Sequence, residues 1–321
     1  MEQIRGFSGV VLVTRDGKDL LRASAGASDF QTGGALCTPD TRFQIASVSK
    51  QFAATAAMIL AEQGELSLGD PISQWLANCP TLWRDLTLHQ LLSHTSGLGH
   101  WRDHPDFDIN QPGDADELLD RFSNVPMLST PGSKWHYSGP GYLLTARIIE
   151  QVSGQGYAQF LTGRVLQPLG LTSTCVGETP SEAVAYGYRN GSRVDAPEFA
   201  ALPGSCDVWS TVGDLVRFTA AFNSDALLTA RSREAMVASQ ASLAGACGTE
   251  GPAIADSYGY GFFLGTLAGR AAHFHFGDNP GYQSFLAWLP DLKVTVAVLC
   301  NNEETSIDDV LRQLQPAVTG S

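Results

Sequence analysis

The segment from Gln51 to Ala61 limits the possible folds more than any other part of the chain. Its apolar residues recur at helical spacing, it has no charged side chain, and it runs into Gly64, a residue that suits a helix end. A helix without charges must be buried, so we expect it in the core. At 321 residues the chain exceeds the usual single core, yet no stretch resembles a linker. We therefore predict one domain, 1–321, of two closely packed lobes.

The two ends of the chain are predicted to share a sheet. Residues 7–14 and 19–25 flank Asp16-Gly17, a dipeptide that favours a tight hairpin turn between antiparallel strands. Near the other end, three more segments have the pattern of strands: FHFG, YQSFLAWLP and VTVAVLCNN. Terminal strands of this kind commonly pair in one sheet.

Helical patterns fill the middle of the chain, in VSKQFAATAAMILAEQG, LLTARIIEQVSG and DLVRFTAAFN. We therefore predict an α+β fold. One α/β lobe, with an antiparallel sheet, comprises about residues 1–46 and 175–321. An all-helical lobe comprises about residues 47–174.

Charge and composition narrow the candidate partners. The formal net charge is −13, with four lysines and sixteen arginines in all. This leaves no basic stripe that could bind nucleic acid or an anionic membrane, so both are poor candidate partners. No run approaches the ~20 apolar residues that span a bilayer. The start, MEQIRGFSGVVLVTRDGK, lacks the pattern of a signal peptide, which predicts a cytoplasmic location.

The cysteines give no sign of a metal or redox site. They are widely separated and no Cys-x-x-Cys occurs, which argues against both a zinc clamp and a thioredoxin-type motif. We expect buried free thiols at all six positions: Cys37, Cys79, Cys175, Cys206, Cys247 and Cys300.

Ser47 and Lys50 form a Ser-x-x-Lys motif at the head of the uncharged helix. Residues three apart share a helix face, and desolvation lowers the pKa of a buried lysine toward the range where it can accept a serine proton. The helix dipole and the N–H of Ser47 could stabilise an oxyanion. A simple helix cap would give the same short pattern. However, of the four lysines only Lys50 has a serine three residues earlier, which favours a nucleophile and its base.

An ordered set of segments then resembles the serine β-lactamase and penicillin-binding-protein superfamily. The similarity is to its class C β-lactamases, D-Ala-D-Ala carboxypeptidases, D-aminopeptidases (peptidase S12) and family VIII esterases. It implies a β-lactamase/transpeptidase-like fold and a serine acyl-enzyme that needs no cofactor and no metal. The matching segments are FQIASVSKQF (43–52), GELSLGDPISQWL (64–76), LTLHQLLSHTSGL (86–98), PGSKWHYSGPGYLL (131–144), WSTVGDLVRF (209–218), YGYGF (258–262), HFGDNPGYQS (275–284) and VAVLCNN (296–302).

The second motif of the superfamily, Tyr-x-Asn, falls on Tyr137-Ser138-Gly139. The resemblance implies that Tyr137 shares the serine proton with Lys50. The alternative role for Tyr137 is that of an aromatic residue in the core. Gly139 stands in a substrate-binding position without the asparagine amide. Family VIII esterases tolerate that loss, so the departure shifts the expectation toward ester substrates.

The third motif, Lys-Thr-Gly or His-x-Gly, falls on His275-Phe276-Gly277. The resemblance implies a substrate-binding strand in which His275 orients the substrate and Gly277 permits its close approach, with Phe276 between them. It also implies that the N–H of Asp278 completes an oxyanion hole with Ser47. A structural histidine is the alternative for His275.

Other patterns carry less weight. His100 and His104 in HWRDH have a metal-ligand spacing, but the segment lacks the glutamate of His-Glu-x-x-His and is rich in Asp, which predicts surface histidines. The resemblance makes His94 structural. No Gly-x-Ser-x-Gly occurs, which argues against an α/β-hydrolase nucleophile elbow.

The sequence therefore predicts a serine hydrolase, esterase-like and related to β-lactamases, that acts on a small ester or amide through a Ser47 acyl-enzyme. Three alternatives stay open: a β-lactamase or D-amino-acid peptidase or carboxypeptidase, a biosynthetic acyltransferase, and a non-catalytic ligand-binding member of the fold.

Overall fold

The computed structural model describes residues 6–31, 34–77, 79–108, 114–194, 202–243 and 251–320. Over these residues the fold is α+β, as predicted. The strands are β1 Gly9–Arg15, β2 Lys18–Ala25, β3 Phe43–Gln44, β4 Cys175–Val176, β5 Tyr188–Arg189, β6 Ser192–Arg193, β7 Val208–Ser210, β8 Ala241–Ser242, β9 Ala253–Tyr258, β10 Phe263–Leu267, β11 Arg270–Asn279, β12 Tyr282–Leu289 and β13 Val294–Cys300. The α-helices are α1 Ser49–Glu62, α2 Leu88–Leu92, α3 Ala115–Phe122, α4 Gly139–Ser153, α5 Tyr157–Leu161, α6 Val212–Phe222, α7 Ala230–Met236 and α8 Ile307–Thr319.

The main sheet joins the two ends of the chain. Its order is β2-β1-β13-β12-β11-β10-β9-β8, with antiparallel pairing throughout, so β1 lies between its hairpin partner and a strand from the far end. The predicted hairpin turn has positive φ at both central residues, 48° at Asp16 and 76° at Gly17, as a tight two-residue turn requires.

Both faces of the sheet are covered, which explains why β1 is a continuous apolar run without alternation. Val10 and Leu12 pack into the core cluster that contains α1, whereas Val11 and Val13 pack into the cluster that contains the apolar face of α8. The molecule thus has a helix layer on each side of the sheet, and the larger helical layer includes α1.

Helix α1 is the centre of the molecule. Every residue from Ser49 to Leu60 is buried, which confirms the prediction from the missing charges. The helix packs against α4 and α5. On another side, the ring of Phe52 stacks on that of Phe218 in α6, with centroids 4.0 Å apart. Residues at the start of α1 are therefore held rigidly by packing from several elements.

A small sheet of β3, β7 and β4 positions the chain on either side of Ser47. β3 leads into the turn that carries Ser47, and β7 pairs with β3. The N–H of Ile45 donates to the carbonyl of Val208 at 2.9 Å, and the N–H of Val208 donates to Ser49 Oγ at 3.2 Å. This pairing brings residues 205–208 against the head of α1.

The five cysteines in the described ranges are free thiols, and Cys247 lies outside those ranges. The prediction that these thiols are buried is confirmed for three of them, whereas Cys79 and Cys175 are half-buried. Within the same ranges, no helix is both long enough and apolar enough to cross a membrane.

Candidate active site

Ser47 lies in a single 3-10 turn, Ala46–Val48, immediately before α1. The preceding Ala46 has φ 48°, in the left-handed region that residues with a side chain rarely adopt. Such local strain persists only where the surrounding structure imposes it, and it is common at functional sites. Ser47 lines a cavity of about 550 Å³, which is large enough for a small-molecule ligand.

Lys50 is buried beside Ser47, with 1% of its surface exposed. Its Nζ donates to Ser47 Oγ at 3.1 Å, to the carbonyl of Ser205 at 2.9 Å and to Ser205 Oγ at 3.2 Å. Burial lowers the pKa of Lys50 to about 8, while the negative charges of Cys206 and Asp207, when ionised, oppose that change. A neutral amine that can accept the Ser47 proton is thus accessible near physiological pH.

Tyr137 lines the same cavity, and its ring centroid is 5.0 Å from Lys50 Nζ. The buried ring of His94 packs against Tyr137 with centroids 4.5 Å apart. His94 also fixes the chain on both sides of the tyrosine. Its Nδ1 accepts a hydrogen bond from the N–H of Ser138 at 3.0 Å, and its carbonyl accepts one from the N–H of His136 at 2.8 Å. The structure therefore brings Ser47, Lys50 and Tyr137 together.

Gly139 is the first residue of α4 and is buried. A Cβ atom placed on it would lie 2.7 Å from Nε1 of Trp101, closer than such contacts occur in proteins. The space that an asparagine side chain would need is therefore occupied by another loop.

His275 faces the cavity from β11, but both ring nitrogens already have protein partners. Nδ1 donates to the carbonyl of Phe276, so in the neutral ring Nε2 accepts from the hydroxyl of Tyr258 at 3.1 Å. Burial lowers the pKa of His275 to about 3, which keeps the ring neutral. This geometry fits the structural alternative better than a ring that binds substrate through a nitrogen.

Gly277 allows a close approach between two segments of the protein, and the predicted close approach of a substrate stays a prediction. A Cβ atom there would lie 2.1 Å from Ser284 Oγ and 2.3 Å from the carbonyl oxygen of Ile45. The glycine thus lets β11 contact the chain that leads into the Ser47 turn.

Phe276 and Asp278 both line the cavity. The ring of Phe276 packs on those of Phe274 and Phe285, at centroid distances of 5.6 and 5.0 Å. The carboxylate of Asp278 points outward, 59% exposed, with Nη1 of Arg102 3.6 Å away. Substrate could therefore meet the backbone of this strand more readily than its side chains.

The HWRDH prediction of surface histidines is wrong. His104 is 8% exposed, and its Nε2 donates to the carbonyl of Leu98 at 3.1 Å. His100 lines the cavity, as does Trp101. In the described part of the chain, no three His, Cys, Asp or Glu side chains are grouped closely enough to bind a metal ion.

Sequence reasoning missed Ser205 and Asp207. Ser205 binds Lys50 from 155 residues away in the chain. Asp207 is buried, and its Oδ1 accepts from the N–H of Gly204 at 3.1 Å. Burial raises the pKa of Asp207 to about 7. The only available signal was their position directly before the matching segment that begins at Trp209.

Comparison with known proteins establishes the family. The family model described as Beta-lactamase matches residues 1–318, so the chain belongs to the beta-lactamase family, which includes the penicillin-binding-protein-like serine enzymes. It is 29% identical to penicillin-binding protein 4* of Bacillus subtilis (strain 168) over 328 residues, 93% of this chain and 69% of that protein. It is 32% identical to esterase EstB of Burkholderia gladioli over 213 residues, 60% of this chain and 52% of the esterase.

The fold also matches solved structures. The crystal structure of D-amino acid amidase from Ochrobactrum anthropi SV3 complexed with L-phenylalanine superposes with a TM-score of 0.83. The alignment covers 98% of this chain and 93% of the amidase at 24% identity. That likeness confirms the β-lactamase/transpeptidase-like fold.

Proposed function

We propose that the protein is a serine hydrolase that cleaves small carboxylic esters through an acyl-enzyme on Ser47. The observation that carries the proposal is the contact between Lys50 Nζ and Ser47 Oγ, 3.1 Å long, with the lysine buried and its pKa lowered to about 8. A buried lysine of lowered pKa beside a serine that opens into a cavity is the arrangement of an activated nucleophile.

In the proposed reaction, Ser47 Oγ attacks the ester carbonyl while its proton passes to the Lys50/Tyr137 pair. The N–H groups of Ser47 and Asp278 would hold the oxyanion of the tetrahedral intermediate. The pair returns the proton to the leaving alcohol, and the acyl group stays on Ser47. Water then attacks the acyl-enzyme by the same route and releases the acid. Apart from the substrate and this water molecule, each step uses only groups of this chain.

Two features support esters over β-lactams and peptides. The asparagine of the second motif is replaced by Gly139, and a side chain there would collide with Trp101. The third motif has the His-x-Gly form, and both nitrogens of its His275 are engaged by Tyr258 and Phe276. The site therefore lacks the second-motif amide and offers no unengaged imidazole nitrogen, and the 32% identity to an esterase agrees with this preference.

Fluorophosphonate labelling followed by intact-mass measurement tests whether Ser47 is a nucleophile. We expect one adduct per chain in the wild type and none in Ser47→Ala. Absence of an adduct in the wild type would favour the non-catalytic ligand-binding alternative.

A panel of p-nitrophenyl esters, nitrocefin and D-amino-acid p-nitroanilides tests the substrate class. We expect the highest kcat/KM for an ester. If nitrocefin or an anilide matched the best ester, a β-lactamase or a D-amino-acid peptidase would replace our proposal. Product formation that required an added alcohol or amine acceptor would indicate an acyltransferase.

A further inference from the structure

Three aromatic rings form one patch on the cavity that contains Ser47. Trp135, Tyr137 and Phe263 all line this cavity. The ring centroids lie 6.2 Å apart for Trp135 and Tyr137, and 6.3 Å apart for Trp135 and Phe263. Those of Tyr137 and Phe263 lie 6.4 Å apart, with the two rings nearly parallel at 10°. We call these three residues the aromatic patch.

The aromatic patch is held in place by packing. Phe263 is 8% exposed and belongs to β10, which pairs with β9 and β11. Its ring lies edge-on to that of Tyr258 with centroids 4.9 Å apart, and 5.0 Å from that of His275. Trp135 contacts the same Tyr258 ring at 6.2 Å. Because these rings are already ordered in the protein, a ligand that contacts them loses little free energy to side-chain ordering.

Tyr137 connects the aromatic patch with the proposed reaction. When the acyl-enzyme forms, the bond between the carbonyl carbon and the leaving oxygen breaks, and that oxygen takes a proton from the Lys50/Tyr137 pair. The leaving oxygen must therefore come within hydrogen-bond distance of this pair. Lys50 Nζ lies 5.0 Å from the ring centroid of Tyr137, so the pair is itself at the edge of the patch. The carbonyl oxygen, in contrast, is assigned to the N–H groups of Ser47 and Asp278.

We infer that the aromatic patch is the subsite for the leaving alcohol and that it selects aryl or arylmethyl alcohols. This inference rests on the proposed acyl-enzyme at Ser47 and specifies the half of the substrate that leaves first. Aromatic rings attract one another in offset or edge-on arrangements beyond the effect of the area that they bury, whereas a saturated ring of similar size gains only from burial. The chemical class is an aryl or arylmethyl ester.

Two esters that differ only in the leaving ring test the subsite: benzyl acetate and cyclohexylmethyl acetate. Both form the same acetyl-enzyme, so a difference in kcat/KM arises before the alcohol leaves. The measured quantity is the ratio of the two kcat/KM values, because the intrinsic reactivities of the esters cancel when variants are compared.

Phe263→Leu removes one ring of the aromatic patch, and we expect it to lower this ratio about 2- to 10-fold, the effect of one aromatic pair. Trp135→Leu, at a half-buried ring, should lower the ratio in the same way and provides a second variant if Phe263→Leu does not fold. Phe30→Leu, at an exposed phenylalanine away from this cavity, should leave the ratio unchanged. An unchanged ratio in the variants of the patch would overturn the inference.

A second pair of esters tests which half of the substrate contacts the aromatic patch. Methyl phenylacetate and methyl cyclohexylacetate carry the same two rings on the acyl group. We expect Phe263→Leu to leave the ratio of their kcat/KM values unchanged. A fall in this ratio without a fall in the acetate ratio would assign the patch to the acyl group and contradict our inference.

A binding measurement separates failure of the subsite from failure of the proposed function. The Ser47→Ala variant lacks the nucleophile and keeps the aromatic patch, so NMR titration with benzyl alcohol and cyclohexylmethanol needs no turnover. We expect tighter binding of benzyl alcohol, and loss of that preference in Ser47→Ala/Phe263→Leu. Equal binding of the two alcohols would refute the subsite, whereas failure of the wild type to hydrolyse either acetate would refute only the hydrolase proposal.

Discussion

Two elements at the Ser47 cavity differ in how they can contribute to a reaction. We call Ser47 and Lys50, at the head of α1, the helix wall, and residues 275–278 of β11 the strand wall. On the helix wall, Lys50 and Ser47 face each other with reactive atoms 3.1 Å apart. On the strand wall, His275 has both nitrogens engaged by the protein, Gly277 has no side chain, and the Asp278 carboxylate points outward. In the proposed reaction, side-chain chemistry therefore comes from the helix wall, whereas the strand wall acts through its backbone and its shape. Substitutions on the helix wall should therefore remove chemistry, and those on the strand wall should act through sterics.

The largest effect is expected at Ser47. Ser47→Ala should abolish ester turnover and leave the fold intact, because the serine is half-buried at the cavity and its oxygen is the proposed nucleophile. Kinetics with p-nitrophenyl esters and circular dichroism measure the two properties. The matched control is Ser133→Ala, at an exposed serine. Wild-type activity in Ser47→Ala would disprove the mechanism and the division between the walls.

Lys50→Ala should reduce kcat by at least ~10²-fold, the usual effect of losing a general base. The reason is that Lys50 Nζ is the amine within hydrogen-bond distance of Ser47 Oγ. Pre-steady-state measurement of acylation is the direct assay, with Lys134→Ala at an exposed lysine as its control. A rate near that of the wild type would mean that Tyr137 acts as the base alone.

Gly277→Ala probes the strand wall. The added methyl group would lie 2.3 Å from the carbonyl oxygen of Ile45, so β11 must move away from the Ser47 turn. We expect a loss of roughly 1–3 kcal/mol in the free energy of unfolding, typical of overpacking, with a fall in kcat/KM of about 10-fold. Denaturant titration and ester kinetics measure these changes. Gly163→Ala, where a methyl group meets no atom within 4 Å, is the control. Full activity in Gly277→Ala would show that the strand wall tolerates displacement.

The smallest expected effect concerns the pH dependence of the acylation rate, which the lowered pKa of Lys50 should shift to lower pH. Lys50 must be neutral to accept the serine proton, so the single-turnover acylation rate should rise as pH increases through an apparent pKa of about 8. If Tyr137 shares the proton, the apparent pKa measured from the rate describes the pair of residues and not Lys50 alone. A rise delayed to ~10.4, the pKa of a free lysine, would mean that Lys50 is not desolvated.

Asp207 provides a second test of the same profile. Its carboxylate favours the Lys50 ammonium, and with a pKa of about 7 it is ionised where Lys50 titrates. Asp207→Asn should therefore move the rise to lower pH, whereas Asp225→Asn, at a carboxylate that is 86% exposed, should not. The profile should be the same with EDTA, since no step uses a metal. Activity lost to EDTA would instead support a histidine-bound metal.

Features with a local cause could be predicted from the sequence. The hairpin at Asp16-Gly17 follows from turn chemistry, and the burial of α1 follows from eleven consecutive positions, 51–61, without a charge. The approach of Lys50 to Ser47 follows from helix geometry, which places residues three apart on one face. The ordered motifs also predicted the fold family, because each motif is a short continuous segment.

Features with a long-range cause were decided by the tertiary structure. Ser205 reaches Lys50 only because β7 pairs with β3, and no periodicity indicates which strands pair across such a separation. The Nε2 atom of His275 already has a hydrogen-bond partner because the fold places the hydroxyl of Tyr258, on β9, 3.1 Å from it. The sequence by itself determined which residues could react, since motif spacing acts through local backbone geometry. Packing decided which polar atoms remain available to a substrate, because that depends on contacts between segments that are far apart in the chain.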